Sequence, residues 1–425
     1  MSSVLVISAH SGLLDRRIVA QLNELAASGR KVRFVTTPVQ LDGSGLHPAV
    51  DVIGRGADSP SSESGGGAAK TGSPIAADRI GPLKRLYRML PQPVRLLRRD
   101  AGYTLFPNRQ PPNTRFLVEA AAGLDADAVH CHDLETLPAA DALCAAIAVR
   151  TGVRPKLIYD THELFPFQEP SRSFQRYWTA IERRFIARAD AIIAVNSSIA
   201  DELVRRYRVP APAVLYNSFG VSLPDQNLTR AEALHRLGFA EEGPPVVLFQ
   251  GGFTWARNLR NLVLAFASLE QRARLALLGG GPAAPGLQSM IRNQGMRNVS
   301  IASWVRPDEL LSIVRRVDMG IIPYRGDRCL NDRFCTPNKL FEFMEVGLPI
   351  CSSDLPELRR IVRGCGIGEV YDMSDAPSIA AAVTDCLEKV RSGAFTGLRD
   401  TARTEHLRWP AQARTLLGLY DRLGV

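Results

Sequence analysis

The sequence predicts an α/β protein made of two doubly wound domains that face a central cleft. Three observations lead there. Short apolar runs of buried parallel-strand type alternate with helical patterns along all 425 residues, in two consecutive series of about 200 residues each. Polar or glycine-rich loops follow several of these runs, where open α/β sheets bind ligands. Residues 336–352, TPNKLFEFMEVGLPICS, read as a loop, a buried helix and a strand, with charges set inside the apolar run.

The first series opens with a strand over residues 4–8 and a loop of small residues at 9–12. Asp15 is placed to cap a helix that runs to Ala27, with Gly29 as its stop. A strand over 32–36 completes a βαβ unit. Its first loop carries no G-x-G-x-x-G, so a nicotinamide site is not supported. Further strands are expected at 128–131, 156–159, 191–195 and 213–216. Helices are expected at 138–149, 176–188 and 199–207. Two of the strands end in polar clusters, His130-Cys131-His132-Asp133 and Asp160-Thr161-His162-Glu163. One such histidine is usually a satisfied structural residue. Two clusters at equivalent strand ends favour a functional site.

Residues 55–75 are small and polar and cannot bury a core, so a disordered insertion is expected. The net charge of +9 is concentrated just after it, since residues 79–115 hold nine basic residues and one acidic residue, Asp100. Within 82–99, leucines alternate with arginines, and prolines 91 and 93 should break the stretch into two amphipathic pieces. Such a stretch is either a solvated helical face packed on its own domain or a contact for an anionic membrane surface. No aromatic-basic RNA motif accompanies it, so nucleic acid is not an expected partner.

The domain connection is expected near 218–228, which is rich in glycine, proline and polar residues. The second series has strands at 246–249, 274–278 and 319–322 and helices at 261–269, 308–314, 379–390 and 410–423. Glycine loops at 251–252 and 279–281 let backbone approach a ligand closely. Arg257 adds a cation beside the first of them. In the 336–352 stretch, Lys339 and Glu342 lie three apart on one helix face. They form either a structural ion pair or a ligand site. The ligand reading places a cation and helix-start amides on a phosphate, and a carboxylate on sugar hydroxyls. Together these strand-end features point to a nucleotide-diphosphate site in the second domain.

No apolar run approaches the ~20 residues of a membrane span, and residues 1–8 lack the form of a signal peptide. The expected location is the cytoplasm, at the inner face of the membrane if the basic segment engages it. The seven cysteines are scattered, odd in number and without a C-x-x-C pair, which predicts reduced, structural thiols and no zinc site.

These motifs, in this order, resemble the large family of retaining GT-B glycosyltransferases that build bacterial glycans and glycolipids, of the family 4 type. The resemblance runs through HSGLLDRRI, VHCHDLETL, YDTHELF, ERRFIARADAIIAVNSSIADELVRRY, FQGGFTWARNL, LLGGGP, ASWVRPDEL and PNKLFEFMEVGLPI. It implies two Rossmann-like domains, 1–220 on the acceptor side and 221–400 on the nucleotide-sugar side, with a helix in 401–425 crossing back to the first. It implies a UDP- or GDP-activated hexose as donor, a lipid-linked, polysaccharide or other glycan acceptor, and no cofactor or metal. By the same resemblance Glu342 holds the ribose, and Arg257 and Lys339 meet the diphosphate. The amides of Thr336, Asn338 and Leu340 contact diphosphate and sugar. Val305 touches the base, Gly12, Gly252 and Gly280 border the donor, His162 approaches the reacting sugar carbon, and Asp133 and Glu163 sit on the acceptor side.

The chain departs from the family pattern at two places. Phe334 stands where the first glutamate of the family's Glu-x7-Glu motif is expected, and Gly252 stands where a basic residue is expected. A GT-B nucleotide-sugar epimerase and a catalytically silent scaffold in a glycan-assembly complex are the alternatives. The epimerase's usual catalytic carboxylates are not visible in the sequence. Phe334 is the feature that favours the scaffold.

Overall fold

The computed structural model describes residues 2–9, 12–13, 15–37, 39–40, 45–54, 92–106, 109–111, 113–218, 228–398 and 401–425. The expected disordered insertion, the first amphipathic piece of the basic segment and most of the domain connection lie outside these residues.

In chain order the strands are β1 (Ser3–Ser8), β2 (Gly12–Leu13), β3 (Lys31–Thr36), β4 (Val39–Gln40), β5 (Asp51–Ile53), β6 (Ala128–His132), β7 (Lys156–Thr161), β8 (Ala191–Ala194) and β9 (Ala213–Val214). They continue with β10 (Val246–Gly252), β11 (Arg274–Gly280), β12 (Val299–Ala302), β13 (Met319–Ile322), β14 (Ile350–Ser353) and β15 (Gly368–Tyr371). The first large sheet has the order β5-β3-β1-β6-β7-β8-β9 and the second β12-β11-β10-β13-β14-β15. Every pairing in both is parallel. Both sheets start in the middle and reverse direction once, which opens a crevice at the carboxyl ends beside β1 and β10. These are two Rossmann-like units.

Local chemistry explains the elements that lead into those crevices. The Asp15 side chain accepts from the Arg17 amide and starts the Arg16–Ala27 helix. Asn196 caps the Ser197–Tyr207 helix through Ile199. The Asn338–Val346 helix follows Pro337 and ends at Gly347, whose φ of 69° is the left-handed conformation that glycine adopts without penalty. Leu340, Phe341, Phe343 and Met344 of this helix are buried in the second core, as their density in the sequence suggested. Pro93 opens the second of the two expected pieces. It sits in the first turn of one continuous helix, Gln92–Leu105, where a missing N–H costs nothing.

The Trp409–Leu423 helix returns to the first unit. Leu416, Leu419 and Tyr420 join Val4, Val6, Ile18, Leu22 and Phe34 in one core. Each such side chain contributes about 1.5–3 kcal/mol by leaving water. Arg30 ties the same helix from outside, with its NH2 2.7 Å from Asp421 Oδ1. Among the described residues no helix is long and apolar enough to cross a membrane, and the seven cysteines are free thiols.

The two units also meet in front of the cavity. Asn196 Nδ2 donates to the Phe334 carbonyl at 2.7 Å and the Ser198 amide to Glu357 Oε1 at 2.7 Å. Asn331 accepts from the Leu164 amide at 2.9 Å and donates to Glu163 Oε2 at 3.0 Å. Phe334, with Leu330, packs against the hydrophobic core of the first unit. The position where the family pattern has a carboxylate is thus an apolar anchor between the two halves.

Candidate active site

A cavity of about 1060 Å³ lies between the carboxyl ends of the two sheets. The first unit lines it with Asp15, Arg16 and Arg17 at the start of a helix, with Asp133 after β6, and with His162 and Glu163 after β7. The second unit contributes Gln250, Gly251 and Gly252 at the end of β10, then Arg257, Trp304, Val305, Tyr324 and Asp332, and finally Thr336, Asn338, Lys339 and Glu342.

The wall formed by the second unit is cationic. Lys339 is 5% exposed, and its Nζ lies 3.5 Å from the centroid of the Phe249 ring and 4.9 Å from that of Tyr324. Among the described residues nothing accepts a hydrogen bond from that Nζ. Arg257 lies over the same Tyr324 ring, 4.4 Å from its centroid. Burial pulls the Lys339 amine well below its usual range, and the nearby Arg257 guanidinium adds to this, while Glu342 opposes it. A buried ammonium without a partner is costly, so the position favours an incoming anion. Gly251 allows this approach: its φ is 123°, and a Cβ there would lie 3.4 Å from Lys339 Nζ. Gly279 serves the same crossing, since a Cβ there would meet the Gly251 carbonyl oxygen at 2.1 Å.

Glu342 does not pair directly with Lys339. Its Oε2 accepts from Gln250 Nε2, and its Oε1 lies 3.8 Å from Arg16 NH1 of the other unit. Burial raises its carboxyl, with Arg16, Gln250 and Lys339 acting in the opposite direction. A structural Lys339–Glu342 ion pair is therefore not what this helix builds.

Two expected positions, Leu340 and Gly280, do not line the cavity. Leu340 is fully buried in the second core, and its amide donates to the Pro337 carbonyl at 2.9 Å. One residue along the helix, about 100° of rotation, turns it away from the opening while Lys339 points in. For Gly12 the described residues give only its backbone place in β2, paired with Val39. Gly280 lies beneath Trp304, whose Nε1 would be 3.0 Å from a Cβ there.

The wall formed by the first unit is a buried polar cluster. His162 Nε2 lies 3.0 Å from His132 Nδ1 and 3.5 Å from Asp160 Oδ2, and its Nδ1 lies 3.4 Å from Asp133 Oδ2. Burial alone would lower its pKa, but Asp133 and Asp160 outweigh this and hold it at about 10, so His162 is an imidazolium at neutral pH. His132 is pushed down to about 3 by burial, then by His130, and is neutral. Asp133 has a φ of 68°, unusual for a residue with a side chain and often found where function holds the backbone. Burial raises the pKa of Glu163 beside it.

His130, His132 and Asp160 bring possible ligand atoms within 4.8 Å of one another, a spacing that would admit a cation. Gln21 Nε2 already donates to Asp160 Oδ2 at 2.7 Å, however, and His132 Nδ1 already shares a proton with His162. These two contacts make the cluster a hydrogen-bond network, in which His130 Nε2 and His132 Nε2 have no hydrogen-bond partner among the described residues. Asp125 and Asp127 form a D-x-D spacing, but at the opposite end of β6, where Asp127 binds the Ser3 amide and Asp125 binds Arg150.

Sequence reasoning did not single out Arg16, Arg17, Tyr324 or Asp332. Arg16 and Arg17 carried a readable signal, an Asp-Arg-Arg run opening the helix after the first strand loop. Tyr324 and Asp332 carried none, because a tyrosine after a strand and an aspartate in a short helix are common.

Two Rossmann-like units that meet over a cavity with a cationic wall define the GT-B class of nucleotide-sugar proteins. The family comparisons agree. Residues 49–221 match the model for Glycosyltransferase Family 4, and residues 244–389 match Glycosyl transferases group 1. The chain belongs to the GT-B glycosyltransferases of the family 4 type. It is 24% identical over 233 residues to alpha-D-kanosaminyltransferase of Streptomyces kanamyceticus, covering 52% of this chain and 58% of that one. The chain spans 58% of the length of the curated relatives it matches. Its fold is shared with sucrose-phosphate synthase of Thermosynechococcus elongatus, at a TM-score of 0.68 and 18% identity over 100% of this chain and 99% of that one. It is also shared with HepE of Anabaena, solved with UDP and glucose, at 0.68 and 13% identity over 99% and 100% of the two chains.

Proposed function

We propose that the protein is a retaining glycosyltransferase. It moves a hexose from a UDP or GDP sugar to a lipid-linked, polysaccharide or other glycan acceptor, and needs no metal to do so. The observation that carries this reading is the buried amine of Lys339, without a hydrogen-bond partner among the described residues and close to Arg257, both lining the cavity. When the bond from sugar to diphosphate breaks, negative charge grows on the leaving phosphate. Lys339, Arg257 and the helix start stabilise that charge where it develops. A fixed positive wall of this kind takes the place of a divalent ion.

Glu342, already an acceptor for Gln250 across the cavity floor, offers its carboxylate to the ribose hydroxyls. His162 presents an imidazolium to the donor sugar, and Asp133 and Glu163 flank the acceptor's approach. The leaving phosphate takes the acceptor proton on the same face, so the anomeric configuration is retained without a carboxylate nucleophile. Contacts of the Phe334 segment with the first unit hold the two halves together beside the cavity. Phe334 serves interdomain packing in either reading, and donor turnover separates the transferase from a silent scaffold.

The Gln92–Leu105 helix supports peripheral membrane contact. One side packs on the protein, with Tyr103 stacked on Tyr177 at 4.5 Å and Arg99 NH2 2.6 Å from Glu169. The other side exposes Leu97 (71%) and Leu105 (70%), followed by Phe106 (60%), close to Arg95 and Arg98. An apolar ridge flanked by arginines suits an anionic lipid surface.

The test is nucleotide release from a panel of UDP and GDP sugars, with and without glycan and membrane-lipid extracts. Acceptor-dependent release with one donor is expected. No release and no nucleotide binding would overturn the reading.

A further inference from the structure

Asp160 is 1% exposed and sits at the centre of the first unit's polar cluster. A carboxylate removed from water must be compensated, and four side chains converge on its Oδ2. Gln21 Nε2 donates to it at 2.7 Å, and three ring nitrogens surround it: His132 Nδ1 at 3.4 Å, His162 Nε2 at 3.5 Å and His130 Nε2 at 3.8 Å. The network also leaves the site. His130 Nδ1 lies 2.8 Å from the hydroxyl of Tyr420, which is fully buried and belongs to the C-terminal helix. A path of polar contacts therefore runs from that helix through His130 and Asp160 to His162 at the cavity wall.

We propose that Asp160 is a positioning residue for glycosyl transfer, orienting His162 toward the donor sugar and linking it through His130 and Tyr420 to the seating of the C-terminal helix. This rests on the reading of His162 as a residue of the transfer site.

The geometry accounts for both ends. β7 carries Asp160 and, just past its end, His162, while β6 carries His130 and His132 on the same side. β7 pairs with β6 so that His132 lies opposite Asp160, and the Asp133 amide donates to the Asp160 carbonyl at 2.9 Å. Asp160 and Asp133 thus stand 3.5 and 3.4 Å from the two ring nitrogens of His162, whose Nε2 also meets His132 Nδ1 at 3.0 Å, so the ring is bracketed from both sides. The other charged groups around His162 are Asp15 and Arg17 from the Arg16–Ala27 helix, and Glu163 next to it. Asp15 and Arg17 pair with each other, and Arg17 still opposes the charge on the imidazole, while Asp133 first and Asp160 after it favour that charge. Removing the charge of Asp160 frees the ring to turn and lets the proton leave Nε2. Removing the Tyr420 hydroxyl loosens the far end of the network without touching the cavity.

The experiment uses the full chain with Asp160→Asn and Tyr420→Phe, neither of which changes side-chain shape appreciably. Two readouts are taken. The first is the 15N spectrum of labelled histidines in ligand-free protein at pH 7.5. Wild type should show one imidazolium with both nitrogens protonated, lost in Asp160→Asn and shifted in Tyr420→Phe. The second is release of UDP or GDP from UDP-glucose and GDP-mannose with acceptor extract. Asp160→Asn should lower kcat about 10- to 100-fold, with donor KM within about twofold. Tyr420→Phe should lower kcat less, in the same pattern. A folded Asp160→Asn protein with wild-type kcat and an intact imidazolium signal overturns the proposal. So does a Tyr420→Phe protein that is wild-type in both readouts. Wild type that shows the imidazolium but turns over no donor counts against the transferase reading, and the spectra of the variants still decide the role of Asp160.

Discussion

Replacing Lys339 with methionine should make the protein more stable and a worse binder of nucleotide. Its Nζ is enclosed by Phe249 and Tyr324, near Arg257, with no hydrogen-bond acceptor among the described residues. A polar group buried in this way costs about 1–3 kcal/mol, and methionine keeps the volume and the ring contacts. Lys339→Met is therefore expected to stabilise by about 1–3 kcal/mol, at about 2–4 °C in Tm for each kcal/mol in a domain of this size. The variant also loses a charged hydrogen bond to the diphosphate, about 1.5–3 kcal/mol, or about 10- to 150-fold in Kd. The gain in stability depends on pH with a definite sign. The folded pKa of Lys339 lies below its ordinary value of 10.5, so wild type carries the full penalty below the folded pKa and loses it as pH rises toward 10.5. The advantage of the variant should shrink as pH rises toward 10.5. Differential scanning fluorimetry across pH and calorimetry with UDP and GDP measure both effects. A Tm that falls in the variant while nucleotide affinity stays unchanged would refute the assignment of Lys339 to the anion site.

Three further outcomes follow from the same geometry. Glu342→Ala and Arg257→Ala should each raise donor KM or lower kcat/KM by about 10-fold or more, and steady-state kinetics showing no change in both would remove them from the donor site. Wild type should be more stable than His162→Gln below pH 6.5, because the folded pKa is raised from 6.5 to about 10, and that margin should fade between those values; a margin that grows with pH in chemical denaturation would contradict a cationic His162. Leu97→Asp should abolish binding to anionic vesicles and leave folding intact, whereas wild type binds them at low salt and releases as salt rises; co-sedimentation with no wild-type binding at low salt returns the helix to a solvated role.

The architecture was legible because it depends on local periodicity. Buried parallel strands must be continuously apolar, and the loops that follow them carry ligands, so the runs ending at Ser8, His132, Thr161 and Gly252 marked both the sheets and the mouth of the cavity. Asp15, Gly29 and Gly347 marked helix ends for the same reason, since caps and left-handed turns are short-range chemistry. Helix and strand limits shifted by a few residues. The elements at Arg230–Arg236, Ala284–Asn293, Val299–Ala302 and Gly368–Tyr371 went unread because they are short or mixed in character.

The residues themselves determined that there would be two Rossmann-like units, and that Lys339, Glu342, Arg257 and His162 were worth watching. Only the tertiary structure decided what each of them does with its charge. Lys339 and Glu342 share a helix face, yet Glu342 turns to Gln250 and Arg16, two groups that arrive from elsewhere in the chain and leave the ammonium to the cavity. Phe334 looked like a missing carboxylate until the other half of the molecule supplied the core it packs against. Tyr420 lies 290 residues from His130 in sequence and 2.8 Å from it in space. Spacing along a chain reports which neighbours a turn or a pleat brings together, whereas the charge state of a buried group depends on partners that only folding selects.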